Sequence, residues 1–403
     1  MITYCLVGSA FVLYPTRIRQ SLSPTRPVPR LHQQIPPSFK ALQVQISDSE
    51  SSSPLLVLQL APLLKAIDEC SITASTETFR IFHGRGGCYG PDCEHLTLDW
   101  FPPVFVLTDF EESTHATAAA ANDDDVDDNL FVSLVGNALS QRWDRAVRQH
   151  NEKCTDEDTT IIGSTTKSLT WVYQKRRHNN VTTRVMEGVL PDPHVVTEHG
   201  NKYFVQTADA NDNSNKRQHR GLFLDMANGR RWLQDHAQGK VILNLFSYTC
   251  AFSVAGLRGG AKQVVNIDKV QGVMKIGQRN HEINGLTRAR FLNHDIFKSW
   301  GKLRKLGPYD IIVADPPSYQ KGSFIAKKDY GKLIRRLPDL LTAQGQVLLC
   351  LNAPELDTTF LKDLVAQEAP QLDFVERLEN PATFPSKDSE RALKVLLYQK
   401  RQD

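Results

Sequence analysis

Long apolar runs are missing from this 403-residue chain: none approaches the ~20 residues that cross a bilayer as a helix. A helical membrane span is therefore not expected, and neither is a membrane partner. An excess of one charge is missing too. The formal net charge of +3 is too small to identify a polyanionic partner, so any nucleic-acid argument rests on local clusters. The cysteine count is odd. Cys5, Cys70, Cys88, Cys93, Cys154, Cys250 and Cys350 are scattered along a long chain, unlike a secreted disulfide framework, which points to a reducing, intracellular compartment. Acidic residues are absent from Met1 to Ser47, where Arg17, Arg19, Arg26, Arg30 and Lys40 are spread among Ser, Thr and Pro. Such a leader suits a plastid or mitochondrial transit peptide; a disordered tail or a misassigned start on a cytoplasmic protein fits it as well.

What is present divides the chain by rhythm. Residues 1–53 form the leader. From 54 to 208 the segments are short and rich in β-branched and aromatic residues: 79–85, 95–101, 104–110, 169–175, 182–189 and 202–207 read as strands. A helix from about Asn129 to His150, with Leu130, Leu134, Leu139, Trp143 and Val147 as its stripe, completes a small α+β domain. The acidic run Asp123–Asp128 and the stretch Asn151–Thr166 read as solvated loops, and 209–220 as a polar separator. From 221 to 403, strands at 240–246, 263–268, 289–295, 309–315 and 345–352 alternate with helical stretches. The pair 374–378 and 391–399 reads as an antiparallel insertion. Continuous apolar strands with helical crossovers imply an α/β, Rossmann-like domain with a mostly parallel seven-stranded sheet covered on both faces.

In such sheets ligands sit beyond the carboxyl ends of the strands, near the switch in strand order. Four successive strand ends carry suitable groups. Asn244-Leu-Phe-Ser-Tyr-Thr-Cys-Ala-Phe-Ser253 is small and hydroxylated, and lacks the G-x-G-x-x-G pattern of a dinucleotide pyrophosphate site. Asp268 ends the second strand, where a carboxylate can accept hydrogen bonds from both ribose hydroxyls. Asp295 with Ile296 can take the amine and one face of an adenine. Asp315-Pro316-Pro317-Ser318-Tyr319 follows the fourth strand. Two prolines there donate no N–H, so the polar surface is carbonyl oxygens plus one carboxylate, suited to a planar amine or amide. Tyr319 can stack on an aromatic base, a contact worth about 1–3 kcal/mol. Each acid alone is as easily a helix cap; their order on consecutive strands carries the argument. The chemistry expected is in-line methyl transfer, with the rate coming from positioning and desolvation.

With GLFLDMANGRRW (221–232), NLFSYTCAFSVAGLRGGAKQVVNID (244–268) and YDIIVADPPSYQKGSF (309–324) in view, the chain resembles bacterial class I methyltransferases of the large-subunit ribosomal RNA I and K/L type, from about Phe79 to Gln399. The resemblance implies S-adenosylmethionine as cofactor, ribosomal RNA as partner, and methylation of a guanine nitrogen or of cytosine C5. It implies cofactor contacts from Phe223, Asp225, Arg230, Asn244, Tyr248, Thr249, Asp268, Asp295 and Asp315, with 221–225 as a lid. Relatives commonly read S-Y-T-G-G-F-S in the first loop, where this chain has Cys250 and Ala251. Cytosine-C5 members carry a nucleophilic cysteine just past the fifth strand; here Ala353 stands there, after Asn352, and Cys350 reads as core. A nitrogen acceptor is therefore expected, with Asn352 orienting it. Cytosine C5, a protein side chain or a small molecule are the alternatives, as is a catalytically silent RNA-binding module.

RNA contacts are expected from Lys175-Arg176-Arg177-His178, Lys216-Arg217-Gln-His219-Arg220, the cations from Lys298 to Lys305, and Gln320-Lys321 with Lys327-Lys328. His83, Cys88, Cys93 and His95 are of zinc-ligating type, but their spacing lacks the C-x2-C pair, so no metal is expected. A glycine-rich loop near the active site, with Arg85 reaching RNA, is the reading preferred for that segment.

Overall fold

The computed structural model describes residues 53–72, 77–110, 124–153, 168–177, 180–207, 220–320 and 324–402. All but the last residue of the leader, together with His178, Lys216, Arg217, His219 and Lys321, lies outside them.

Ahead of the first expected strand, residues 53–69 form α1 (Ser53–Gln59) and α2 (Ala61–Glu69), two helices in a region where only the one near Asn129–His150 was expected. The segment has few β-branched residues, and buried Leu60, Leu63, Leu64 and Ile67 recur at helical spacing. Strands β1 (Phe79–His83), β2 (Leu96–Phe101), β3 (Val104–Asp109), β4 (Thr170–Arg177) and β5 (Asn180–Glu187) build a five-stranded sheet in that order. All its neighbours are antiparallel except β3 and β4, which lie parallel because α3 (Asp124–Lys153) crosses between them. The helix is longer than expected: the acidic run lies mostly within it. Acidic residues are favoured in a first helical turn, a preference the loop reading overlooked. One sheet face packs on α3, with Trp100 and Phe105 against Trp143. The other turns Phe101, Val104, Val106 and Val172 onto Tyr203, Leu222, Leu224 and Val254, locking this sheet to the catalytic half of the chain. A hairpin of β6 (Val195–Glu198) and β7 (Asn201–Phe204) intervenes.

The second sheet contains β8 (Val241–Leu245), β9 (Gln263–Asp268), β10 (Ala289–Asn293) and β11 (Tyr309–Ala314). A short hairpin, β12 (Tyr319–Gln320) and β13 (Phe324–Ile325), precedes β14 (Leu341–Leu351), β15 (Leu372–Leu378) and β16 (Lys394–Lys400). The order is β10-β9-β8-β11-β14-β16-β15, parallel as far as β14, with β16 inserted antiparallel between β14 and β15. This is the mostly parallel, seven-stranded α/β architecture expected. Its faces separate by the two-residue strand period. Leu243, Val265, Ile312 and Leu349 meet α7 (Trp300–Leu306), α8 (Ala326–Ile334) and α9 (Thr358–Glu368) through Leu303, Leu333 and Leu361. Ile242, Val264, Ile311 and Leu348 meet α4 (Ala227–His236) and α5 (Ala251–Arg258) through Leu233 and Leu257. Each such side chain, fully buried, stabilises by about 1.5–3 kcal/mol. The chain leaves β8 to build β9 and β10 on one side, then returns to lay β11 on the other. That reversal opens a crevice at the carboxyl ends of β8 and β11.

Candidate active site

The loop leaving β8 is unusual in its backbone. Phe246, Tyr248 and Cys250 all have positive φ, at 55°, 48° and 62°. Left-handed backbone costs a non-glycine residue roughly 1–2 kcal/mol; here the surroundings over-determine it. The Tyr248 N–H donates to Asp268 Oδ2 at 3.0 Å, and the Val270 N–H to Oδ1 at 2.9 Å. Cys250 is buried, and a Cβ on Gly277 of α6 (Gln271–Ile283) would fall 2.5 Å from its Sγ. Gly277 thus makes room for the cysteine.

The same loop grips segment 221–226. Thr249 Oγ1 donates to the Gly221 carbonyl at 2.6 Å, and the Gly221 N–H donates to the Tyr248 hydroxyl at 3.2 Å. Phe223 is exposed, with its ring 5.5 Å from that of Tyr248. Arg230 is almost fully buried and its fork is committed elsewhere: Nε and Nη2 donate to Glu198 at 2.6 and 2.7 Å, and Nη2 also to the Phe223 carbonyl at 2.7 Å. Arg230 thereby fixes the 223–225 backbone. Glu198 carries no signal in the sequence; it is an ordinary acid in a hairpin until the fold sets it beside Arg230. Asn244 donates to Asn266 Oδ1 at 3.0 Å, and Asn266 in turn to Ser253 Oγ, a buried polar chain beneath the loop.

A cavity of about 780 Å3 opens at these strand ends, within the ~300–1,000 Å3 of small-molecule clefts. It is lined by Phe223, Asp225, Arg230, Asn244, Tyr248 and Thr249, and by Asp268, Asp295, Ile296 and Asp315, so the fold gathers every residue expected at the cofactor. Pro316, Pro317 and Asn352 line it as well. Of Tyr319 only the backbone lies among what the structure describes, paired with Ile325. Ser318 Oγ donates to the Asn352 carbonyl and ties the Pro-Pro turn to the end of β14. Asp295 caps the turn after β10, accepting from the Lys298 N–H at 3.3 Å. Lining residues that local pattern did not reveal are Lys269, Val270, Val273, His294 and Leu393; apolar or basic residues on loops carry no distinguishing spacing.

The charge balance of the cavity is informative. Burial pushes the Asp315 carboxyl up to about 7; the negative charge of Asp225 adds to this, and Arg230 opposes it. The Asp225 carboxyl is likewise raised, mainly by burial. Two half-buried carboxylates therefore share a space in which the opposing cation is already paired to Glu198. A ligand with positive charge at that end, hydroxyls at Asp268 and a flat apolar face at Ile296 answers the whole set. S-adenosylmethionine has all three features, so the residues present fit it.

Beyond Phe223 lies a second cavity of about 1120 Å3, lined by Arg80, Arg85, Arg176 and Arg220 and sharing Phe223, Asp225, Asn352 and Leu393 with the first. The glycine-rich loop after β1 forms part of its wall. A Cβ on Gly86 would fall 1.8 Å from the Pro385 carbonyl, and the Lys387 N–H donates to the Gly86 carbonyl at 2.9 Å, so glycine permits the close docking of this loop. His83 packs on Phe384, the Cys93 thiol donates to the Gln59 carbonyl and Cys88 is exposed; among the described residues these do not gather around a common point. Cys350 is core: it is fully buried, and that burial holds its thiol well above the usual range.

Several known proteins are similar to this chain. Ribosomal RNA large subunit methyltransferase I of Aeromonas salmonicida is 33% identical over 194 residues, 46% of this chain and 47% of that protein. Ribosomal RNA large subunit methyltransferase K of Neisseria meningitidis serogroup B is 30% identical over 233 residues, 55% and 62% of the respective chains. The aligned region thus spans about half the length of these curated relatives. A SAM-dependent methyltransferase structure from Streptococcus mutans superposes with a TM-score of 0.62 at 22% identity, covering 87% of this chain and 82% of that one, a likeness of fold. The description of S-adenosylmethionine-dependent methyltransferases matches residues 123–399, and the chain belongs to that family.

Proposed function

We propose that this protein transfers a methyl group from S-adenosylmethionine to a base nitrogen of ribosomal RNA. The observation that carries the reading is the pair of joined cavities. One is carboxylate-rich and cofactor-sized; the other is larger and arginine-rich; Asp225, Phe223 and Asn352 stand between them. The names of the curated relatives supply the ribosomal RNA. Asp268, held by two backbone N–H groups, accepts the ribose hydroxyls. Ile296 and Val270 bound the adenine, and Asp295 takes its amine. Phe223 and Asp225, pinned through Thr249, Tyr248 and Arg230, close over the cofactor.

When bound, the cofactor supplies an electrophilic methyl on sulfur. The chain's own residues then position the acceptor. Asp315 and the carbonyls of the Pro316-Pro317 turn accept hydrogen bonds from the amine, orienting the nitrogen lone pair, and the Asn352 amide fixes the ring. With its carboxyl near 7, Asp315 can also hold the proton the nitrogen loses. Among the described residues no cysteine lines either cavity, which disfavours addition at cytosine C6 and hence C5 chemistry.

Labelled S-adenosylmethionine incubated with the protein and with RNA or protein extract is expected to mark large-subunit ribosomal RNA, and mass spectrometry to place the methyl on a base nitrogen. Label confined to protein would reject the reading.

The raised Asp315 carboxyl also sets a pH dependence. Because protonated Asp315 no longer accepts from the amine, kcat/KM should fall below about pH 7 with unit slope. Asp225→Asn removes a charge that raises this carboxyl, so the acid limb should move to lower pH. A limb unmoved by that substitution would assign it to another group.

A further inference from the structure

The sheet face that meets the catalytic domain changes character along its strands. At one end Phe101, Val104, Val106 and Val172 dock against apolar partners. At the other, the register sets Thr97 beside Thr108 and Thr108 beside Gln174, a polar row across β2, β3 and β4. Thr97 and Thr108 line the 1120 Å3 cavity, as do six arginines, among them Arg80, Arg85, Arg176 and Arg220. Arg80 makes a two-point pair with Asp99 at 2.7 and 3.0 Å. Arg220 Nη2 donates to Thr108 Oγ1 and to Gln174 Oε1, each at 2.9 Å, and its Nη1 lies 3.8 Å from Asp99. Arg85 and Arg176 lie over the ring of Phe110, 4.2 and 5.2 Å from its centroid.

Basic groups outnumber acids along this cavity: Lys175 and six arginines face Asp92, Glu94, Asp99, Asp109 and Asp225. Asp99 is the carboxylate that acts on both Arg176 and Arg220, while neighbouring arginines oppose it. Burial first, and then those neighbours, lower Arg176 to about 10 and Arg220 to about 9. Two buried atoms here, Thr97 Oγ1 and Arg220 Nε, have no hydrogen-bond partner among the described residues. Guanidinium forks match oxyanions in a way that ammonium groups do not, and stacking on an aromatic ring fixes the plane of the fork. Arg80, Arg85, Arg176 and Arg220 do not line the 780 Å3 cavity.

We propose that this arginine cluster is an oxyanion subsite that holds a backbone phosphate of the acceptor strand, anchoring the RNA while its target base passes Phe223 to the Asp315 turn. The inference rests on the reading of RNA as acceptor. It differs from a general basic surface, because the cations are set on one sheet face and one aromatic ring.

The test is the salt dependence of binding of a ribosomal RNA fragment to the full chain, with S-adenosylhomocysteine affinity as the check on folding. Arg85→Gln, at an exposed position, and Arg176→Gln should each weaken RNA binding about tenfold and make the log–log salt slope shallower by about 0.7, the loss of one phosphate contact on a single strand. Cofactor affinity should not move. Unchanged affinity and slope in both variants would overturn the subsite while leaving RNA as acceptor. If wild-type protein binds no ribosomal RNA at any salt, the proposed function falls, and inorganic phosphate then decides the subsite. A rise in the wild-type thermal midpoint with phosphate over chloride, lost in the variants, upholds an oxyanion site; no rise overturns it.

Discussion

Asp315→Ala is expected to lower turnover by about 10^3, the scale on which removal of a preorganised polar group at a reacting centre acts. The carboxylate is the one charged acceptor offered to the amine at the Pro-Pro turn, and only neutral carbonyl oxygens remain there without it. Cofactor affinity should fall only a few-fold, because Asp225 remains at the same end of the cavity and Asp268 lies on another strand. Asp315→Asn separates charge from shape: it keeps one carbonyl acceptor but cannot hold a proton, and should lie between wild type and alanine. Single-turnover methylation of a ribosomal RNA fragment under saturating cofactor measures this directly. Wild-type turnover in the alanine variant would mean that the reacting nitrogen meets some other part of the cavity.

Asp268→Ala should act on the other half of the reaction. Two ribose hydroxyls would lose a charged acceptor, at about 1.5–3 kcal/mol for a hydrogen bond to a charged group, so cofactor Kd should rise at least 10- to 100-fold. A second effect adds to this. The Tyr248 and Val270 N–H groups that now meet the carboxylate would be released, and the left-handed Tyr248 would lose what holds it. Calorimetry with S-adenosylhomocysteine would show the loss; equal affinity in variant and parent would remove Asp268 from the cofactor site. Turnover at saturating cofactor should be nearly restored in this variant, in contrast to Asp315→Ala.

The catalytic sheet was legible because its signals are local. Alternation of apolar runs and helical stretches, and acids at strand ends, are properties of contiguous residues, and they led to a domain with Asp268, Asp295 and Asp315 on one rim. Where contiguous residues mislead, the reading failed. Residues 53–69 pack as two helices in a part of the chain where a single helix was expected, and the acidic run taken for a loop lies mostly in α3. Arg230 lines the cavity where it was expected, but its pairing with Glu198 and the Phe223 carbonyl had no local signal.

The amino-acid sequence by itself determined the architecture of the catalytic domain and the order of polar groups along its carboxyl edge, because hydrophobic period and strand-end chemistry are written in neighbouring positions. Tertiary structure alone decided how the buried charges pair and what the second cavity is made of. Arg230 meets Glu198 across 32 residues and Arg220 meets Thr108 across 112, and a short-range force between such distant positions exists only once the sheets have docked.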